Sequence, residues 1–232
     1  MPAFTMSLST TRSRTPIATY VLIHGAGSDD WYWHRVTPLL KARGHTVIAP
    51  NLPCDDASAG LAEYTETVLR AIGRHRNLII VAQSMGGFTA PLVCTRVPVE
   101  LLVLLAAMIP LPGERPGHWW KNTRHSTDGP FDVKTTFFHD VPPEVTTEAF
   151  KRGAKAQSDT PFQKPWPLPA WPKVPTRFLL CRQDRFFPAP FMRRVVRERL
   201  GIAPDEIDGG HLVALSRPAE LVERLEAYRA RL

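Results

Sequence analysis

The chain has 232 residues, a length typical of one α/β domain that buries roughly three quarters of its unfolded surface. Hydrophobic residues make up 44 % and charged residues 22 %, which excludes a chain that is disordered throughout. Lys and Arg exceed Asp and Glu by seven (29 − 22), but they are scattered, and the run Arg193–Arg199 alternates with apolar residues. This pattern is typical of the solvent-exposed face of an amphipathic helix and argues against a nucleic-acid or other polyanion site.

Cysteine content and hydropathy predict a protein of the cytoplasm. Cys54, Cys94 and Cys181 cannot all pair with one another, which fits reduced thiols. No stretch of 18 apolar residues occurs, so no membrane partner is expected. Residues 1–16 are polar and predict a flexible arm.

Short apolar runs alternate with helix-like stretches along the chain. Four strands are predicted first, in ATYVLIHG (18–25), TVIAPNLP (46–53), NLIIVAQ (77–83) and ELLVLLAAMIP (100–110). The stretches between them, WYWHRVTPLLKARGH (31–45), LAEYTETVLRAIG (61–73) and GGFTAPLVCTRV (86–97), predict helices. The pattern returns as strand TRFLLCRQD (176–184), helix FMRRVVRERLG (191–201), short strand DEID (205–208) and helix PAELVERLEAYRARL (218–232).

These strands are nearly all apolar, as in a sheet that is covered on both faces. Alternating strands and helices favour parallel units with right-handed crossovers. We therefore predict an α/β fold, with a doubly wound, mostly parallel sheet of about six strands built from residues 17–109 and 176–232.

Residues 110–175, which we call the insertion, differ from this pattern. They hold 12 of the 23 prolines and four of the six tryptophans, and only VPPEVTTEAFKRGAKAQ (141–157) indicates a helix. We predict a lid over the strand ends. The alternative is a long connection packed on the sheet.

The stretch VAQSMGG (81–87) places Ser84 between a strand and a helix. A serine on so sharp a turn needs small neighbours, and Ala82, Gly86 and Gly87 supply them, although the usual G-x-S-x-G pattern has glycine where Ala82 stands. Ser84 is therefore a candidate nucleophile. A hydroxyl in an ordinary glycine-rich turn is the alternative.

Asp184 ends a predicted strand, and His211 follows the last one. Taken singly, such an aspartate often marks a turn and such a histidine often lies on the surface. The order serine, acid, histidine, with separations of 100 and 27 residues, is that of α/β-hydrolase triads. We therefore predict Ser84, Asp184 and His211 as catalytic residues.

The motif HGAG (24–27) ends the first strand. Acyl transfer needs two N–H donors that face the developing oxyanion. We predict the backbone N–H groups of Ala26 and Met85 for this role. A tight turn without a catalytic role is the alternative.

The segments LIHGAGSDDWYWHRVTPLLKARGHTVIAPNLP, VAQSMGGFTAPLV, FLLCRQDRFFP and DGGHLVALSRPAEL together resemble the α/β-hydrolase superfamily. Within it, the chain is similar to small esterases of the branch that includes plant methyl-ester esterases and hydroxynitrile lyases. The resemblance covers residues 17–232 and is weakest in the insertion, where FFHDVPPE (137–144) is similar to the lid helix of that branch. It implies that Ser84 is the nucleophile, His211 the general base and Asp184 its orienting acid. Gln83 stands where the family usually has histidine.

The lyases of that branch have a lysine directly after the catalytic histidine and a threonine directly after the first-strand histidine. Leu212 and Gly25 occupy these positions here, and neither can donate a side-chain proton. The sequence therefore favours a hydrolase over a lyase.

We predict two-step hydrolysis of a small apolar or aromatic carboxylic ester, without cofactor or metal. The candidate substrate-pocket residues are Gly25, Trp119, Trp120, Phe137, Phe138 and Leu212, although the aromatic ones also suit a packed core. A carbon–carbon lyase using the same triad, and a small-molecule receptor built on a hydrolase scaffold, are the alternatives. The sequence leaves the oligomeric state open, with a homodimer as one option.

Overall fold

The structure, a computed structural model, describes residues 17–126 and 131–232; the arm predicted for residues 1–16 lies outside them. A single sheet of six strands forms the centre of the described part. The strands are β1 (Thr19–Ile23), β2 (Thr46–Ile48), β3 (Leu78–Gln83), β4 (Leu101–Leu105), β5 (Thr176–Cys181) and β6 (Asp205–Ile207). Their order is β2-β1-β3-β4-β5-β6, and every neighbouring pair is parallel.

Helices connect these strands. They are α1 (Thr37–Ala42), α2 (Leu61–Ile72), α3 (Gly86–Cys94), α4 (Trp119–Asn122), α5 (Val133–Phe137), α6 (Pro143–Arg152), α7 (Thr160–Gln163), α8 (Ala189–Leu200), α9 (Val213–Ser216) and α10 (Pro218–Arg229). Short 3-10 helices lie at Asp30–Trp33 and Pro116–His118.

The sheet is covered on both faces because successive strand residues point to opposite sides. In β1, Val21 and Ile23 belong to one apolar cluster with residues of α2, α3 and α8. Tyr20 and Leu22 belong to a second cluster with residues of α1 and α10. The predicted doubly wound α/β fold is confirmed, and the sheet is parallel throughout its six strands.

Most elements are shorter than the stretches predicted for them. The strand predicted over 100–110 ends at Leu105, because Ala106 takes a positive φ of 42°. The chain then turns so that the Met108 N–H donates to the Ser84 carbonyl. The helix predicted over 31–45 divides into a 3-10 turn and the short α1. The helix predicted over 141–157 is α6, which stops at Gly153, where φ is 74°.

The insertion is anchored to the sheet layer at both ends. The indole N–H of Trp119 donates to the carbonyl of Ile109 at 3.0 Å, and that of Trp166 donates to the carbonyl of Phe88 in α3 at 3.0 Å. Both tryptophans are almost completely buried. These two tryptophans near the ends of the insertion therefore belong to the core.

Glu226 links α10 to the edge of the sheet. Its carboxylate accepts hydrogen bonds from the Tyr20 hydroxyl at 2.6 Å and from His45 Nε2 at 3.1 Å, and it pairs with Arg229 at 2.9 Å. Burial by itself would raise the pKa of this carboxyl, but the hydrogen bonds from Arg229, Tyr20 and His45 lower it to about 2.

We expect Glu226→Gln to destabilise the protein at neutral pH and to have less effect as the medium becomes acidic. The carboxyl ionises near 4.5 in the unfolded chain and at about 2 in the fold. Its contribution to stability is therefore fully present above about pH 5 and is lost as the pH falls through about 2. Urea unfolding of both proteins at several pH values measures this difference. Glu223→Gln, an exposed position on the same helix, is the control, and a Glu226→Gln effect that is constant with pH would contradict the prediction.

None of the helices in the described ranges has the length and apolar character needed to cross a bilayer.

Candidate active site

A cavity of about 800 Å³ opens at the carboxyl edge of the sheet, where ligands bind in open α/β folds. Ser84, His211 and residues 26–29 of the loop after β1 lie on its wall. The insertion supplies much of the remaining wall, including Phe131, Phe137, Phe138, Phe150 and Phe162. Residues from the central part of the insertion therefore line the same cavity as the predicted site residues.

Ser84 lies on a strained turn between β3 and α3. Its φ is 52°, a value that residues other than glycine rarely adopt. The turn holds because the Ser84 carbonyl accepts hydrogen bonds from Gly87 N–H at 3.1 Å and from Met108 N–H at 2.9 Å. A Cβ on Gly87 would lie 2.0 Å from the Met108 carbonyl oxygen, so only glycine fits there. This packing explains the small residues after the serine and presents the serine side chain to the cavity.

His211 and Asp184 form a buried hydrogen-bonded pair. The Nδ1 of His211 lies 2.7 Å from Asp184 Oδ2, and both side chains are less than 5 % exposed. The other carboxylate oxygen accepts the backbone N–H groups of Phe186 and Phe187 at 2.8 and 2.9 Å. Because Nδ1 donates to the carboxylate, Nε2 is the nitrogen left to act as a base.

The main chain around His211 is held from three sides. Asp140 Oδ2 accepts the Gly210 N–H at 2.7 Å, and Gln83 Nε2 donates to the His211 carbonyl at 3.3 Å. The Gln183 side chain accepts the Gly209 N–H. A Cβ on Gly210 would lie 2.6 Å from Asp140 Oδ1, which explains the glycine.

Sequence reasoning missed Asp140 as a partner of this loop, although it lies in the quoted stretch FFHDVPPE. The sequence contains no marker for the contact, because Asp140 and Gly210 are 70 residues apart. In the sequence, Gln83 stands out only as a departure from the family pattern. Its bond to the His211 carbonyl gives that departure a structural role.

The loop after β1 is fixed by His24 and Gln157. His24 Nε2 accepts the Leu52 N–H at 3.1 Å, so Nδ1 carries the proton and donates to the Gly25 carbonyl at 2.8 Å. Burial lowers the pKa of His24, which keeps this ring neutral. Gln157 of the insertion accepts the Gly27 N–H at 3.2 Å. The loop is therefore held by hydrogen bonds where it borders the cavity.

Ala26 and Met85 lie beside Ser84 on the cavity wall. Among the described residues, none accepts a hydrogen bond from the backbone N–H of either one. Met85 immediately precedes α3, where backbone donors lack partners within the helix. Both N–H groups are therefore available to a bound oxygen.

The structure corrects the predicted pocket at two positions. Trp120, Phe137, Phe138 and Leu212 line the cavity, whereas Trp119 and Gly25 do not. Trp119 is 0 % exposed and packs in the core between Trp120 and Phe187.

Gly25 lies behind the serine, where a Cβ would be 2.5 Å from Gln83 Oε1 and 2.8 Å from Ser84 Cβ. It is a packing glycine, and a side chain at this position has no room.

Comparison with known proteins identifies the family of this chain. A model described as the alpha/beta hydrolase family matches residues 20–224, so the chain belongs to that family. An alpha-hydroxynitrile lyase of Arabidopsis thaliana is 24% identical over 90% of this chain and 95% of that protein. The probable esterase PIR7A of Oryza sativa subsp. indica is 26% identical over 89% of this chain and 94% of that protein. The crystal structure of polyneuridine aldehyde esterase matches with a TM-score of 0.77 at 20% identity, covering 92% and 99% of the two chains.

Proposed function

We propose that this alpha/beta hydrolase is a serine esterase that cleaves small apolar or aromatic carboxylic esters through an acyl-enzyme. The observation that carries the proposal is the buried Asp184–His211 pair, whose histidine lines the same cavity as a serine held at positive φ. The esterase names among the similar proteins support it.

In the proposed mechanism, His211 Nε2 removes the hydroxyl proton of Ser84 as the serine oxygen attacks the ester carbonyl. The carbonyl oxygen becomes an oxyanion that accepts the N–H groups of Ala26 and Met85. The intermediate collapses, the carbon–oxygen bond to the alcohol breaks, and the alcohol takes the proton from His211. Water, deprotonated by the same histidine, then hydrolyses the acyl-enzyme and regenerates Ser84.

The cavity wall supports an apolar or aromatic substrate. Trp31, Trp120 and several phenylalanines of the insertion face it, with Met85 and Met108 near the serine. Charged side chains on the wall are confined to Asp29, Arg152 and Lys155 among the described residues. Arg152 is already paired with Asp29 at 3.6 Å and stacked over Trp31.

The main competing function is a carbon–carbon lyase, because a hydroxynitrile lyase is among the similar proteins. Two features of the site argue against a lyase. Leu212 lines the cavity directly after His211 and offers no charge to an anionic leaving group. The space at Gly25 excludes a threonine, since even a Cβ there would overlap Gln83 and Ser84.

We also propose that the protein works in a reducing compartment such as the cytoplasm. Its three cysteines are unpaired, and burial raises the pKa of Cys94 to about 12 and the pKa of Cys181 well above its usual value. These thiols are protonated and unreactive in the fold.

We expect an organophosphonate ester reagent to modify the wild-type protein once, at Ser84, and to abolish hydrolysis of p-nitrophenyl acetate. Peptide mass spectrometry after labelling identifies the site. Ser28→Ala is the matched control, because it removes a second hydroxyl from the same cavity wall and leaves the triad intact. We expect this variant to be labelled at Ser84 as well.

His211→Ala should remain unlabelled, because the serine then lacks its base. Labelling at Ser28, or a wild-type protein that is inert towards both reagents, would overturn the esterase proposal.

A further inference from the structure

Four aromatic side chains form a continuous wall along one side of the cavity. We call Trp120, Phe131, Phe137 and Phe186 the aromatic wall; all four line the cavity. Ring centroids are 5.7 Å apart for Phe131 and Phe137, 4.8 Å for Phe137 and Phe186, and 5.3 Å for Trp120 and Phe186. These distances are typical of aromatic pairs that contact one another.

The aromatic wall touches the catalytic histidine at one end and solvent at the other. The centroids of Phe137 and Phe186 lie 5.2 and 5.3 Å from that of the His211 ring. Phe131 is 55% exposed, although it is a large apolar side chain. An aromatic surface therefore runs from the base of the proposed triad to the outside of the protein.

The chemistry of acyl transfer determines which half of an ester meets this surface. The histidine gives its proton to the departing alkoxide, so the alcohol oxygen must lie within hydrogen-bond reach of His211 Nε2. The rest of the alcohol then lies beside the groups that contact the imidazole. The alcohol also departs while the acyl group stays on Ser84, and the aromatic wall lines a path from His211 to solvent.

The other side of the cavity differs in character. There the insertion meets the loop after β1 through polar contacts, with Gln157 bound to Gly27 and Arg152 paired with Asp29. Because this loop carries the proposed oxyanion donor Ala26, the polar side lies next to the carbonyl oxygen. The continuous aromatic contact is on the histidine side.

We propose that the aromatic wall is the subsite for the leaving alcohol, and that the preferred substrates are esters of arylmethyl alcohols. This inference rests on the esterase function proposed above. It assigns aromatic recognition to the alcohol half of the substrate and leaves the acyl half to the remaining walls.

Two isomeric esters test the assignment directly. Benzyl acetate carries its ring on the alcohol, and methyl phenylacetate carries the same ring on the acid, so the two have the same atoms and similar leaving alcohols. We expect kcat/KM of the wild-type protein to be about tenfold higher for benzyl acetate, the size of one or two good aromatic contacts.

Variants at two exposed phenylalanines locate the effect. Phe131→Ala should lower the ratio of the two kcat/KM values about three- to tenfold, because it removes the outer ring of the aromatic wall. Phe150→Ala is the matched control. It removes a ring of similar exposure, 51% against 55%, from the same cavity, but one that contacts Phe138 and lies outside the wall. It should not lower the ratio, because Phe150 belongs to the walls left to the acyl half.

The outcomes separate this inference from the proposed function. A preference for methyl phenylacetate, or equal changes of the ratio in both variants, would overturn the alcohol subsite while ester hydrolysis stands. A wild-type protein that hydrolyses neither isomer nor p-nitrophenyl acetate would overturn the esterase function and this subsite with it. Methyl phenylacetate turnover by each variant reports whether it is folded and active.

Discussion

Ser84→Ala is expected to lower kcat for ester hydrolysis by about 10⁵- to 10⁶-fold, the loss typical of removing a serine nucleophile. The variant keeps His211, Asp184 and the backbone donors of Ala26 and Met85 in place. A small activity above the uncatalysed rate should therefore remain, because the proposed oxyanion donors still act on bound substrate. Steady-state kinetics with p-nitrophenyl acetate measures the loss.

Unfolding experiments show whether this loss is chemical. Alanine at position 84 keeps the same positive φ as serine. The free energy of unfolding of the Ser84→Ala variant should therefore match that of the wild type within about 0.5 kcal/mol. Ser84→Gly should be equally inactive and more stable by about 1 kcal/mol, because glycine relieves the strained φ. An alanine variant that folds normally and keeps more than about a hundredth of the wild-type activity would exclude Ser84 as the nucleophile.

The largest expected effect on stability is at Glu114, a carboxylate in the insertion. Its side chain is 3% exposed and pairs with Arg199 of α8, which is 6% exposed. It also accepts hydrogen bonds from the Leu111 N–H at 3.1 Å and the Asn122 side chain at 2.8 Å. Removing one partner of such a buried pair leaves an uncompensated charge, so we expect Glu114→Ala to lower the free energy of unfolding by about 3–5 kcal/mol.

Urea unfolding measures this change, and two further proteins serve as controls. Glu66→Ala breaks the exposed Glu66–Arg96 pair and should cost less than about 1 kcal/mol. The double variant Glu114→Leu with Arg199→Met removes both charges and should recover much of the lost stability. A Glu114→Ala effect as small as that of Glu66→Ala would show that the buried pair does not hold the insertion to α8.

The parallel sheet could be predicted from the sequence because its strands are buried on both faces. Such strands are continuous apolar runs, and the glycine-rich turns between them mark their ends. The serine turn could be predicted for a similar reason: the small residues at positions 82, 86 and 87 are a local steric requirement that can be read within six residues of sequence.

The insertion could not be predicted in the same detail, because its contacts depend on residues far apart in the chain. Tryptophan occurs both in cores and on cavity walls. Of the two neighbours here, Trp119 is in the core and Trp120 lines the cavity. Composition cannot separate them, since the difference is set by which face of the short α4 meets Phe187 and Ile109. The roles of Asp140 and Gln157 were missed for the same reason.

Those two residues have a consequence for attempts to exchange this segment between related proteins. Asp140 accepts the N–H before His211, and Gln157 accepts the N–H after Ala26, so one insertion supports loops on both sides of Ser84. A transplanted cap of equal length and hydrophobicity that lacked these two acceptors would reshape the binding surface and at the same time loosen both loops. Grafts that bring a matching acceptor at each point are the ones in which substrate range can be altered separately from turnover.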